Sequence, residues 1–279
     1  MSQKIKIEKN TVMETLVLPL YGRAYCSEKY PDLFPDKTAE EVIRRIDYDF
    51  SKLNYQEFTI ITWAVRKQFL CERAKLYLKQ HPKATIVNLG CGADESFSAV
   101  DNGACHWINL DLQDIISARE QLFPLRDREK NVPLSAFDLH WLDEIETRPE
   151  DGLFVISGGV LMYFNEDTIR PLFTALAERF PDGGICFDAE NQSGVDKSNK
   201  VLEKSGNTDA LVVLAVDNAE EKFSPWSDKF SKIQTFDRLP ENIRKAKAIP
   251  FFTRQFLGMG MKMGYVKFVE ISFSSTGRK

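Results

Sequence analysis

Long apolar runs are the first thing this chain lacks. No stretch approaches the ~20 residues that a membrane-spanning helix needs, and the opening Met1-Ser2-Gln3-Lys4 is followed by charge rather than a signal-type apolar core. The expected location is therefore the cytoplasm. Lysine and arginine never gather in blocks, and 37 of them against 41 acidic residues leave a net charge of -4, so the basic surface that nucleic acid demands is missing. The five cysteines show no C-x-x-C spacing, which fits a reducing compartment. Cys91, Cys105 and Cys186 fall in or beside predicted strands and read as small hydrophobes rather than disulfide partners or catalytic thiols. With three scattered histidines and no paired acids at ligand spacing, a required metal is not expected. No repeat, low-complexity tract or linker divides the 279 residues. An apolar share of 43% is enough for one α/β domain with appended elements.

What is present is organised around Thr85 to Glu95. The run Thr85-Ile86-Val87-Asn88-Leu89 breaks into Gly90-Cys91-Gly92-Ala93-Asp94-Glu95, which reads as a strand, a tight loop and a helix start. Gly90 and Gly92 suit a backbone that must turn sharply and let a ligand lie almost on the main chain. A dinucleotide fingerprint would place a third glycine where Glu95 stands. Asp94 and Glu95 are expected to repel a phosphate at that helix start, which disfavours NAD and nucleotide triphosphates. S-adenosylmethionine, with a sulfonium cation and no phosphate, fits better. It needs an acid for its ribose hydroxyls, and Asp111 ends a second strand, His106 to Asp111, about twenty residues after the glycine pair.

Along the chain, residues 1–80 read as helical with breaks. Thr11 to Tyr25 is interrupted at Pro19-Leu20-Tyr21-Gly22, and Tyr30 to Asp36 is a turn-rich loop. Thr38 is the expected N-cap of the next helix, with Glu41 its capping-box partner. Gln56 to Lys79 forms a long amphipathic helix with Phe58, Ile61, Val65, Phe69 and Leu76 on one face. By periodicity alone, Arg66 beside that face reads as a surface arginine. A helix over Ile115 to Leu122 precedes a third strand mouth within Asn131 to Trp141. Leu153 to Gly159 and Gly184 to Asp188 read as buried strands. Between them a helix spans Glu166 to Phe180, its start kinked or delayed to Thr168 by Pro171. Strands alternating with helices predict a parallel, doubly wound sheet. Ser193 is expected to cap a helix to Lys204, and Leu211 to Val216 fits strand or helix equally. Ile233 to Phe236 and Tyr265 to Phe273 are strands. Between them Glu241 to Met263 is helical in pattern and rich in phenylalanine and methionine, which reads as ordinary core, with a wall for an apolar substrate as the sharper alternative.

Several of these segments together carry a family resemblance. Val87 to Asp94, Tyr21-Gly22-Arg23-Ala24, Ile46 to Phe50, Arg66, Asn109 to Leu112, Phe137-Asp138-Leu139 and Gly159 to Phe164 fall in the same order as in the leucine carboxyl methyltransferase family, from roughly Thr15 to Asp188. That family includes small-molecule O-methyltransferases of the tetracenomycin polyketide type. The resemblance implies a class I, Rossmann-like S-adenosylmethionine-dependent methyltransferase fold: a seven-stranded sheet with the last strand antiparallel, plus helical elements over the acceptor site. Residues 1–82 would form a helical N-terminal cap, 83–190 the cofactor-binding core, and 191–279 a cap insertion with the final strands.

Carried over by position, Arg66 resembles the partner of the methionyl carboxylate, a role suited to a planar fork, which replaces its surface reading. Gly90, with Gly92 beside it in the loop, resembles the backbone contact, Asp111 the ribose acceptor, Asp138 the acceptor for the adenine amino group and Leu139 an amide donor to the ring. Arg23 resembles a basic residue near the cofactor carboxylate. The chain departs from the pattern at Gly158, where many members carry an acid, and at Glu95-Ser96 and Ala99. These departures put the protein-carboxyl activity in doubt.

Methyl transfer asks the protein mainly to align the acceptor oxygen and exclude water. If a base is used, His140 and Tyr163 are the candidates, each set against a plain structural role. The leading functional reading is O-methylation of a small molecule. A protein C-terminal carboxyl methyltransferase and a non-catalytic S-adenosylmethionine-binding protein are the alternatives. The acceptor is expected between the N-terminal helices and the Glu241 to Met263 segment.

Overall fold

The computed structural model describes residues 5–6, 12–50, 56–146, 148–204 and 211–276. The expected helix start at Thr11 lies outside them. Seven strands form the main sheet: β1 Thr85–Leu89, β2 His106–Asp111, β3 Glu129–Pro133, β4 Leu153–Ser157, β5 Gly184–Ala189, β6 Phe230–Phe236 and β7 Lys267–Phe273. Their order is β3-β2-β1-β4-β5-β7-β6. Strands β1 to β5 pair in parallel, and β7 runs antiparallel between β5 and β6. This is the expected class I architecture. The strand order reverses between β1 and β4, which opens a crevice at their C-terminal ends.

Three helices precede the sheet: α1 Val12–Lys29, α2 Lys37–Arg45 and α3 Glu57–Gln80. The others are α4 Phe97–Val100, α5 Gln113–Leu122, α6 Glu166–Arg179, α7 Gln192–Lys204, α8 Ala219–Phe223, α9 Glu241–Lys245 and α10 Phe251–Lys262. Because β1 and β4 are buried along their whole length, each must be apolar on both faces, as their sequences are. On one side they meet α6, where Phe173, Phe187, Phe223 and Trp226 pack together. On the other they meet α3, where Phe69 stacks on Phe268 at 4.1 Å. Burying each such ring contributes about 1.5–3 kcal/mol.

Several local expectations are corrected. Ile5–Lys6 is not helical but pairs in parallel with Ile46–Asp47. Helix α1 runs unbroken through Pro19, because Leu16, Val17, Leu20 and Ala24 are buried against neighbouring helices and offset the one lost hydrogen bond. The cap of α2 is Asp36, whose carboxylate accepts from the Ala39 amide, and not Thr38. On α3 the buried face holds Ile60, Ile61, Val65 and Phe69, while Phe58 and Leu76 are exposed. Asn165 caps α6, which starts at Glu166 without delay and contains Pro171. Ser193 lies inside α7 rather than capping it. Leu211 to Val216 is neither strand nor helix, holding only a bridge from Ala215 to Glu190. The region Glu241 to Met263 splits at Ala246 to Pro250. Phe251, Phe252, Phe256, Met259 and Met263 are exposed, so they are not core.

One ion pair bolts α3 to the antiparallel strand β7: Arg73 Nε and Nη2 donate to the two carboxylate oxygens of Glu270, at 2.6 and 2.7 Å. Glu270 is buried, so removing the arginine strands a desolvated charge. Arg73→Ala is expected to destabilise the fold by about 3 kcal/mol. Equilibrium denaturation measures this, and a midpoint within error of wild type would contradict it.

Candidate active site

The C-terminal ends of β1, β2 and β4 open onto a cleft of about 640 Å³ whose lining includes Arg23, Arg66, Gly90, Gly92, Asp111 and Tyr163. Gly90 adopts φ +67°, and a Cβ there would stand 2.2 Å from Val160 Cγ2, so only glycine fits. Asp111 accepts from the Gly92 amide at 2.9 Å through Oδ2 and from its neighbour Leu112 at 2.8 Å through Oδ1. Burial pushes its carboxyl up, against the pull of these two amides. Each oxygen keeps capacity for a further donor.

The loop after β1 is gripped by cations. Arg119, buried on α5, donates to the carbonyls of Gly92 and Asp94. Arg23 donates to the Ala93 carbonyl at 2.6 Å and to Asp36 at 3.2 Å. Lys67 donates to the Glu95 carbonyl at 3.0 Å and to Asp36 at 2.7 Å, and stands 3.4 Å from the Asp94 carboxylate. Burial alone would raise the Asp94 carboxyl, but Lys67, Arg23 and the Ser96 hydroxyl more than offset it and hold it down at about 2. Glu95 is itself buried, bonded to Ser98 and 3.4 Å from Arg126. The expected repulsion of phosphate by these two acids is therefore corrected: both are neutralised by cations. The helix that follows spans only four residues, Phe97–Val100, and offers an anion little dipole.

Arg66 stands with Nε 2.9 Å from Asp188 Oδ2 at the end of β5, an off-axis ion pair rather than an aligned hydrogen bond. Asp188 Oδ1 accepts from the Gly159 amide at 2.6 Å. A Cβ at Gly158 would lie 3.0 Å from Arg66 Cδ. The side-chain-free end of β4 thus makes room for the arginine stem, and the carboxylate beside it comes from the neighbouring strand.

Asp138, Leu139 and His140 are not among the cleft residues. Asp138 Oδ1 accepts from the His140 amide at 3.2 Å and stands 2.6 Å from its ring, and the His140 side chain is 86% exposed. Tyr163 does line the cleft. Burial pushes its phenol up, Arg66 pulls it down, and Asp188 and Glu190 add to the rise. Glu190 follows β5, and its Oε2 accepts from the Ser198 hydroxyl of α7 at 2.8 Å. Burial, with Asp188 nearby, raises the Glu190 carboxyl. Asp188, Glu190, Lys67 and Arg119 all escaped the sequence reading. The first two could have been found, since acids at or just past the C-terminal end of a buried parallel strand stand at the ligand end of such a sheet.

A second cavity, of about 610 Å³, lies between the first half of α3 and α10, lined by Phe58, Val65, Phe252, Phe256, Met259 and Phe268 among others. Val65 in this groove and Arg66 in the cleft are neighbours on α3. Among the described residues no group of three or more His, Cys, Asp or Glu side chains could hold a metal ion, and no helix is long and apolar enough to cross a membrane.

No family model matches the chain. It is 34% identical over 182 residues to the tetracenomycin polyketide synthesis O-methyltransferase TcmP of Streptomyces glaucescens, a match spanning 64% of this chain and 66% of that one. It is 27% identical over 220 residues to the S-adenosyl-L-methionine-dependent methyltransferase dpfgK of Gibberella zeae, spanning 72% and 74%. The crystal structure of a DUF574 family protein from Streptomyces avermitilis shares the fold, with a TM-score of 0.57 over 91% of this chain and 97% of that one at 11% identity. A glycine turn that accepts no Cβ, an acid at the end of β2 bonded to that turn and the 3-2-1-4-5-7-6 sheet define a class I S-adenosylmethionine-dependent methyltransferase fold. The chain belongs to the S-adenosylmethionine-dependent methyltransferases.

The folded Asp94 carboxyl, at about 2 against an ordinary 3.8, makes a testable demand on acid stability. A depressed value means that the native state sheds this proton more readily than the unfolded chain. Its contribution, on the order of 2 kcal/mol, is full above about pH 5 and drains away as pH falls through 4 toward 2. Denaturant midpoints between pH 6 and 2.5 should show the wild-type advantage over Asp94→Asn shrinking with acid. An advantage constant over that range would contradict the assignment.

Proposed function

We propose that the protein transfers a methyl group to a hydroxyl or carboxyl oxygen of a small, largely apolar molecule, as the small-molecule branch of the leucine carboxyl methyltransferase family does. The observation that carries this reading is the juxtaposition on α3: the cleft lined by Arg66, Gly90 and Asp111 beside an apolar groove lined by Val65. The five cysteines are buried and free, which suits a reducing compartment, and a cytoplasmic location belongs to the same reading.

S-adenosylmethionine, when bound, supplies a methyl carbon activated by its sulfonium. The residues fit such a ligand. Asp111, already bonded to the glycine turn, accepts the two ribose hydroxyls with its remaining lone pairs. Gly90 and Gly92 bring the backbone close. The Arg66 fork receives the carboxylate, while Arg23 supports the loop from behind through the Ala93 carbonyl. Asp138 has one oxygen engaged by His140; the other takes the adenine amino group, with the Leu139 amide beside it. Met162, which lines the cleft together with Leu202, packs on Val195 and Val212, and this apolar edge helps to exclude water. An acceptor that reaches the site already ionised needs no base. For a neutral hydroxyl, Tyr163, which lines the cleft, is better placed than the solvent-exposed His140.

The groove favours a ring or chain that binds by buried area, at roughly 25 cal/mol per Å², over a polar, extended protein tail. Transfer of labelled methyl from S-adenosylmethionine to a panel of phenolic and carboxylic small molecules, alongside protein C-terminal peptides, tests the reading. Label is expected on the small apolar acceptors. Phe252→Asp, at a site 74% exposed in the groove wall, should raise KM roughly tenfold, as for about 1.4 kcal/mol of lost apolar contact. Activity confined to peptides, or unchanged kinetics in that variant, would overturn it. Calorimetry gives the companion measurement: S-adenosylmethionine should bind and NAD should not, and Asp111→Ala should weaken the first. Saturable NAD binding would count against the cofactor site as drawn.

A further inference from the structure

We infer that Asp188 is a positioning residue: it holds the Arg66 guanidinium from the Nε side so that both terminal nitrogens are presented to the carboxylate of S-adenosylmethionine. The inference rests on the reading of Arg66 as that carboxylate's partner, and goes beyond it by assigning what aims the fork.

A guanidinium has five N–H donors, one on Nε and four on the fork. The Nε of Arg66 faces Asp188 at 2.9 Å, and among the described residues neither terminal nitrogen has a hydrogen-bond partner. Arg66 nevertheless lines the cleft and is only 21% exposed in its side chain. A largely buried cationic fork with four free donors beside a ligand-sized space is an anion site waiting for a bidentate partner.

Asp188 is the more constrained of the pair. Its side chain is 3% exposed, and a carboxylate so far from water must be both paired and hydrogen-bonded. It meets both demands at once, with Oδ1 on the Gly159 amide at 2.6 Å and Oδ2 on Arg66. The glycine turn is pressed against the fork: Gly159 adopts φ +74°, and a Cβ there would stand 2.5 Å from Arg66 Nη1. One carboxylate therefore links the turn after β4 to the arginine of α3. The fork is caught between the acid that holds its Nε and the backbone that the same acid holds. Fixing the rotamer in advance removes the ordering cost that a free arginine would meet on binding.

The test is binding of four probes by calorimetry to wild type, Asp188→Asn, Arg66→Ala and the double variant: S-adenosylmethionine, S-adenosylhomocysteine, decarboxylated S-adenosylmethionine and adenosine. Asparagine cannot face both a backbone N–H and an Nε–H with acceptors, so it spoils one of the two contacts. Asp188→Asn is expected to weaken the two carboxylate-bearing ligands about tenfold or more, the loss of one charged hydrogen bond, and to leave the decarboxylated probe and adenosine within twofold. In the Arg66→Ala background it should change nothing further, since a positioning residue acts only through the group it positions. Should Asp188→Asn fail to bind adenosine, Asp188→Glu, which keeps the charge but moves it forward by a methylene, must show the same selective loss. Wild-type protein that binds S-adenosylmethionine and its decarboxylated form equally would overturn the Arg66 reading and this inference with it. Discrimination that survives in the Asp188 variants, losses additive with Arg66→Ala, or tighter binding on removing the acid would overturn the role of Asp188 alone.

Discussion

Four consecutive carbonyls, Gly92 to Glu95, are each held by a cationic side chain, and the rest of the site depends on that grip. Arg119 takes two of them, Arg23 and Lys67 one each. A loop that rises from a buried strand through two residues of positive φ has no ladder to stabilise it, so its polar groups must find partners elsewhere or cost the fold. The three cations come from α5, α1 and α3, so the loop's shape is decided by the way those helices dock. Two of them converge on Asp36, which also caps α2. One carboxylate thereby registers α1, α2 and α3 against the end of β1.

Charges gathered this tightly are a poor source of net stability, because desolvation consumes most of what pairing returns. Their value here is geometric. Arg23 and Lys67 hold Asp94 ionised at the lip of the cleft, and the acids of the loop add little net charge to it. The cleft therefore offers a ligand specific donors and acceptors, such as Asp111 and the Arg66 fork, and no broad field of either sign. That combination suits a zwitterionic ligand with ribose hydroxyls better than a polyphosphate.

The apolar groove follows a different logic. Phe252, Phe256 and Met259 leave large apolar surface in contact with solvent, which a folded chain tolerates where something is bound. Methionine and phenylalanine on a helix that starts after Pro250 and contains Gly258 and Gly260 form a wall that can repack around ligands of differing shape. On the function proposed, specificity for the acceptor would reside in that wall, and the cofactor side would be set by backbone and charge.

How much of this was legible beforehand divides along the same line. The sheet was readable because its strands are short, β-branched and bounded by turn residues, and buried parallel strands must be apolar on both faces. Gly90, Gly92 and Asp111 were readable because a turn without room for Cβ and an acid on the next strand's end are local facts. Arg66 was a surface arginine by its helical period, and became a site residue only through resemblance. Local pattern misled wherever distant packing decided the outcome. Pro19 did not break α1 because the buried face outweighs one hydrogen bond. Asp36 displaced Thr38 as a cap because two cations also hold it. The α10 phenylalanines, apolar in sequence and exposed in space, follow from a break at Ala246 to Pro250 that no hydrophobic period announces. The sequence by itself therefore determined the strands, the turn and the acid at the end of β2, each a matter of neighbours along the chain. Only the tertiary structure decided which charges neutralise which. Asp188 meets Arg66 across 122 residues, and pairs so distant in sequence leave no period or spacing to read.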